Sequence, residues 1–183
     1  MKKLLFFVFI LGLVVTSCQT QKKESTSNME NPFFKEWNTP FGVPPFDEIK
    51  VEHYVPAVNE VIKQQEAELE ANVDNSAAPT FENTILAFDK SGALLNKVNG
   101  VFGPLSSADT NDEMQAVARE LSPLRTAHRN NIAMNAGLFE RIKAVYDKRN
   151  ELDFDQEQMR VVEKYYEDFV RGGLIFRLKT RRK

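Results

Sequence analysis

Residues 51–72 read VEHYVPAVNEVIKQQEAELEAN, and this stretch decides the fold class. Tyr54, Val58, Val61, Ile62 and Leu69 recur at three- and four-residue steps, while Lys63, Gln64, Glu66 and Glu70 fall on the other side. One apolar stripe with a period near 3.6 residues marks a helix that buries one face. Pro56 sits in the first turns, where a missing N–H is tolerated.

The same period returns downstream. Asp74 to Pro79 reads as a turn, and Thr80 as the N-cap of a helix from Phe81 to about Val101, ending around Gly100 and Gly103-Pro104. Thr110-Asn-Asp-Glu113 has capping-box spacing and opens a helix through Met114, Val117, Leu121 and Leu124, which Pro123 should kink or divide. Asn135 caps a helix through Leu138, Ile142 and Val145. Asp155 starts the last, through Met159, Val162, Tyr166 and Phe169, and Gly172-Gly173 stops it. No alternation is long enough to build a sheet, and no 34-residue repeat suggests a solenoid. The expected fold is all-α with about five helices.

Upstream, the composition changes abruptly. Pro32, Pro40, Pro44 and Pro45 forbid a regular helix between Asn31 and Pro45, while Phe33, Phe34, Trp37, Phe41 and Phe46 supply a large apolar payload. This segment is read as an extended strap lying in a groove of the domain. The alternative is a peptide-like ligand for a partner protein.

The 183-residue chain has a net charge of −2, which averages three unlike parts. Residues 1–17 hold Lys2 and Lys3 and no acid, residues 18–173 carry a net −9, and residues 174–183 hold five basic groups and no acid. An acidic body argues against a nucleic-acid surface. Leu4 to Val15 is an apolar run behind two lysines, too short to span a bilayer, so residues 1–17 read as an export signal. Val15-Thr16-Ser17-Cys18 resembles a bacterial lipobox, which makes Cys18, the only cysteine, the expected lipidation site. The lipid would hold the chain on the periplasmic side of a bacterial membrane. Residues 18–30 are polar and lack aromatics, as expected of a disordered tether.

The chain shows no constellation for catalysis. With two histidines and one cysteine it is too poor for a tetrahedral His/Cys zinc site. His53 and His128 lack the four-residue spacing of a zinc-peptidase helix. The expected roles are one packed or capping histidine and, for His128 between Arg125 and Arg129, a surface position. Carboxylates such as Glu66, Glu70, Glu163 and Glu167 fall on polar helix faces. No nucleophile elbow or phosphate loop is present. No catalytic, cofactor-binding or metal-binding residue is assigned.

Several ordered blocks carry a resemblance. They are Pro44-Pro45-Phe46-Asp-Glu-Ile49 running into His53-Tyr-Val-Pro56-Ala57, then Ala78-Pro-Thr-Phe-Glu-Asn-Thr84, then Leu121-Ser-Pro-Leu124 with His128, and Gln158 to Gly173 ending in Asp168-Phe-Val-Arg-Gly-Gly173. Residues 31–173 thereby resemble the N-terminal helical region of the M3 zinc metallopeptidases, the group of thimet oligopeptidase, oligopeptidase A and bacterial peptidyl-dipeptidase. The resemblance implies a helical wall of a channel that admits short peptides and excludes folded proteins. It also implies that the family's zinc-binding His-Glu-x-x-His helix lies beyond the segment matched here, so zinc belongs to the full-length family and no ligand maps onto this chain.

Residues 174–183 read Leu-Ile-Phe-Arg-Leu-Lys-Thr-Arg-Arg-Lys, unlike the acidic body. A coding sequence for Ala-Asn-Leu-Ser-Ala-Glu-Asp-Lys-Lys-Lys, a continuation suited to the family, yields this tail when one base is dropped. The tail is therefore read as a frameshift, a hypothesis that the DNA following the Lys183 codon decides. The expected function is that of an N-terminal fragment of an exported, lipid-anchored peptidase, inactive by itself. The alternative is a free-standing helical lipoprotein that binds peptides or a partner.

Overall fold

The computed structural model describes residues 30–172, all helix, turn and loop with no strand among them. The export signal, Cys18, the tether up to residue 29, Gly173 and the basic tail lie outside the described residues.

Five helices of twelve or more residues form the body, in agreement with the all-α expectation. Helix α1 (Tyr54–Val73) follows a 3-10 turn at Val51–His53. A π-helical turn at Phe81–Leu86 leads into the short α2 (Ala87–Lys90). Then come α3 (Ala93–Ala108), α4 (Asp112–Ala133), α5 (Ala136–Asp147) and α6 (Gln156–Arg171).

Helix α1 is the spine, because its apolar stripe serves two cores in succession. Its first half places Tyr54, Ala57, Val58 and Val61 against Val98, Val101 and Phe102 of α3 and Met114 and Leu121 of α4. Its far end places Leu69 against Ile85, Leu138, Phe139, Ile142 and Val145, with Val162 and Phe169 of α6 completing the second core. Stacked rings add direction there: Tyr146 and Tyr166 lie 3.8 Å apart at 8°, with the Arg149 guanidinium 3.9 Å over Tyr146.

The caps at Thr80, Asn135 and Asp155 form as read. Thr80 Oγ1 accepts from Asn83 N at 3.2 Å while Asn83 Oδ1 accepts from Thr80 N at 2.8 Å. Asn135 and Asp155 cap Leu138 N and Gln158 N through side-chain oxygens at 3.0 and 2.8 Å. The helix after Thr110 begins one residue later than its sequence signal. Asn111 is the true N-cap, accepting from Met114 N at 2.9 Å, because its oxygen reaches the third amide of a helix starting at Asp112.

Two helix boundaries correct the sequence reading. The helix expected to run from Phe81 to Val101 breaks at Ser91-Gly92 instead, and α3 continues through Gly100, Gly103 and Pro104 to Ala108. Side chains at Gly100 and Gly103 would meet no neighbour within 4 Å, so both breakers lie away from the packed face. On the packed face Val98, Val101 and Phe102 are almost wholly buried. At about 1.5–3 kcal/mol each, their burial outweighs the roughly 3 kcal/mol cost of an interior proline. Pro123 likewise leaves α4 undivided, since it is exposed while Met114, Leu121 and His128 stay buried on one stripe.

The actual break needs Gly92. Its φ is +73°, and a Cβ there would lie 2.3 Å from the Gln65 amide nitrogen. Gly92→Ala is therefore expected to cost about 1–2 kcal/mol from left-handed strain, with displacement of Gln65 added. A urea melt checks this, and an unchanged midpoint would remove the close-approach argument.

The strap is anchored at one end only. Phe33 is fully buried, packing 5.4 Å from the Tyr54 ring, and Phe34 and Trp37 pack partly against the first core. Phe41 stands fully exposed and Phe46 half-exposed, so the second half does not lie in a groove. The cause is local: Phe41 and Gly42 adopt φ of 61° and 66°, closing a tight 3-10 turn that directs the chain outward.

Candidate functional site: a cleft between the two cores

Where α1 passes from one core to the other, its inward stripe turns polar at Gln65, which is buried. Gln65 Oε1 lies 2.7 Å from His128 Nε2, and Gln65 Nε2 donates to Ser91 Oγ at 3.4 Å. With its amide so oriented, Gln65 presents an acceptor to His128, so Nε2 carries the hydrogen. His128 Nδ1 then has no hydrogen-bond partner, and the Glu66 carboxylate lies 3.7 Å away.

His128 is only 4% exposed, which corrects the expected surface position. Leu121 and Leu124 share its stripe at seven- and four-residue spacing, so α4 carries the imidazole inward with them. The charges of Arg125 and Arg129 suggested solvent, but helical phase decides the face. His53 behaves as a cap: its Nδ1 accepts from Lys50 N at 3.0 Å.

Beside this polar pair opens a cleft of about 470 Å³ bounded by α3, α4 and α6, with Leu95, Asn99, Arg125, His128, Tyr165 and Phe169 in its walls. Asn99 Oδ1, Arg125 Nε and Nη2, and His128 Nδ1 are buried without hydrogen-bond partners. The Arg125 guanidinium lies 4.7 Å over the Phe102 ring, and burial pushes its pKa down. Across the cleft, the Tyr165 hydroxyl donates to Asp89, and Asp168 pairs with Lys164 at 2.8 Å.

Burial, together with the bond to Asp89, pushes the Tyr165 pKa well above the usual phenol value, and burial raises Tyr54 as well. A raised acid stabilises the fold fully below its unfolded value, and that contribution is lost as pH rises above about 10. Stability is therefore expected to fall through this alkaline window, and less steeply in Tyr165→Phe. Lys97, pushed down by burial, acts in the opposite sense but is common to both proteins. Melting temperatures of the two from pH 8 to 11 provide the check; parallel curves would exclude a Tyr165 contribution.

A second buried cation holds structure. Arg141 spends all five N–H donors: Nε on Asn72 Oδ1 at 3.2 Å, Nη1 on the Asn75 and Ala77 carbonyls at 2.7 and 3.3 Å, and Nη2 on Asn83 Oδ1 and Thr84 Oγ1 at 3.2 Å each. It ties the loop after α1 to the π-helical turn. Neither Arg141 nor Gln65 stood out in the sequence reading. A signal was there, because each is a polar residue set on an otherwise apolar stripe.

Among the described residues no group of three or more His, Cys, Asp or Glu converges as metal ligands. These residues do not fit the zinc site of the M3 peptidases, and no metal chemistry is derived from them.

No protein-family model matches the chain. Individual proteins do, and they are peptidases. Over 143 residues the chain is 41% identical to the dipeptidyl carboxypeptidase of Salmonella typhimurium LT2, a span covering 78% of this chain and 21% of that protein. The dipeptidyl carboxypeptidase of Escherichia coli K12 is 40% identical over the same shares. Oligopeptidase A of Salmonella typhimurium LT2 is 25% identical over 146 residues, covering 80% of this chain and 21% of the relative. The chain is thus a homologue of M3 peptidases, as its sequence blocks suggest, and it spans about a fifth of the length of these relatives.

Proposed function

We propose that this chain is a helical portion of an exported, lipid-anchored peptidase of the dipeptidyl carboxypeptidase and oligopeptidase A kind, without a zinc site and without activity of its own. The observation that carries this reading is 41% identity over 143 residues to a dipeptidyl carboxypeptidase of which the chain spans only 21%. In the whole enzyme, zinc would activate the water that hydrolyses short peptides, and this portion would serve as a scaffold wall. A packed two-core helical body suits that role.

The test uses the purified 183-residue chain with added zinc and acylated tripeptides. No cleavage and no stoichiometric zinc are expected; turnover of any peptide would overturn the inactive-scaffold reading. Anchoring is tested separately. Labelled fatty acid is expected to enter the wild-type chain expressed in a bacterium and to be absent from Cys18→Ser, and equal labelling would reject Cys18 as the anchor.

A further inference from the structure

We propose that the cleft between α3, α4 and α6 binds an N-acylated apolar amino acid, gripping its carboxylate from the α4 wall. Two arginines on one helix face, Arg125 and Arg129, border the cleft, and neither has a carboxylate partner among the described residues. Of the acids nearby, Asp168 holds Lys164 at 2.8 Å, Asp89 receives the Tyr165 hydroxyl and Glu66 lies 3.7 Å from His128 Nδ1. Arg141 is buried without an anion too, but all its donors are taken, whereas Arg125 is half-buried with Nε and Nη2 unpaired, and that needs a reason. A planar guanidinium with free donors is shaped for two parallel bonds to a carboxylate.

A further orphaned atom sharpens the ligand. Asn99 Oδ1 is a buried acceptor without a partner. It calls for an N–H donor, which an acylamino acid supplies through its amide. Phe88, Leu95 and Phe169 offer an apolar wall for its side chain. The volume, about 470 Å³, falls within the roughly 300–1,000 Å³ of small-molecule sites. The same chemistry is presented by a free acylamino acid and by the carboxyl end of a peptide. The site is inferred from the cleft alone and stands apart from the peptidase reading.

The experiment titrates the full chain with N-acetyl-L-phenylalanine and, as control, its carboxamide, by calorimetry and amide chemical shifts. The carboxylate is expected to bind at least tenfold tighter, with shifts centred on Asn99 and Tyr165. Arg125→Gln is expected to abolish that preference. Arg125 makes no hydrogen bonds that the fold depends on, and Arg125→Lys supplies a second variant that keeps the charge but loses the fork, with an intermediate preference. Equal affinity for acid and carboxamide, or a preference that survives Arg125→Gln, overturns the proposal. Either result leaves the homology to peptidases untouched. Acetyl-Ala-Ala-Phe distinguishes the source: undiminished binding supports a peptide end, and loss supports a free acylamino acid.

Discussion

Arg141→Ala is expected to lower the stability of the fold by about 3 kcal/mol or more, since hydrogen bonds to a charged group are worth about 1.5–3 kcal/mol each and buried acceptors lose their donor. Each of the five bonds it makes is ordinary in length, between 2.7 and 3.3 Å, but together they hold the end of α1, the loop after it and the π-helical turn against α5. Without the guanidinium, Asn72 Oδ1 keeps its burial and loses its donor, at about 1–3 kcal/mol. The Asn75 and Ala77 carbonyls lie nearer the surface and can turn to water, so they contribute less. A domain of this size has about 5–15 kcal/mol in total, which makes the loss a large fraction. Arg141→Lys is expected to recover less than half, because an ammonium has three donors and cannot reach five acceptors lying around a plane. Equilibrium denaturation in urea measures both. A change below about 1 kcal/mol for the alanine variant would show that the loop after α1 holds without this cation.

Phe33→Ala is expected to cost about 3–5 kcal/mol, the range for a large aromatic removed from a closed core, and to release the strap. The ring is fully buried between Trp37 and Tyr54, with centroids 6.4 and 5.4 Å away. The polar clamps around it depend on that burial. Asn31 Nδ2 donates to His53 O at 2.9 Å, and Lys97 Nζ reaches the Phe33 and Lys35 carbonyls at 3.1 and 2.9 Å. Half-exposed bonds of this kind are worth about 0.5–1.5 kcal/mol each, too little to hold the segment alone. Trypsin cleavage at Lys35 is expected to accelerate at least tenfold in the variant. Unchanged cleavage would mean that the clamps, not the ring, hold the strap.

These two residues differ in how openly the sequence displays them. A phenylalanine among prolines announces an anchor, and Phe33 and Trp37 serve as one. Phe41 and Phe46 belong to the same cluster yet point outward, because the left-handed pair at Phe41 and Gly42 turns the chain away. Composition marked the strap as apolar but could not tell the docked half from the free half. Arg141 and Gln65 sit on apolar stripes, where a polar side chain must find partners, although the partners lie 57 to 69 residues away for Arg141 and 63 for Gln65. Nothing local says what they meet. The cleft was illegible for the same reason: Arg125 and His128 lie on α4, Asn99 on α3 and Tyr165 on α6.

Local pattern alone carries the all-α class, the caps at Thr80, Asn135 and Asp155, and the likeness to M3 peptidases. Each of these rests on interactions within a few residues or on ordered blocks of chain. Tertiary structure decided where the second helix breaks, why Pro104 and Pro123 do not break theirs, and that His128 is buried. Those outcomes turn on which side of a helix finds a neighbour. Gly92 takes a left-handed φ of +73° between two helices with Gln65 close beside it, while Gly100 and Gly103 stay helical and lie off the packed face. Local propensity proposes a boundary; burial worth several kcal/mol on the packed face overrides it.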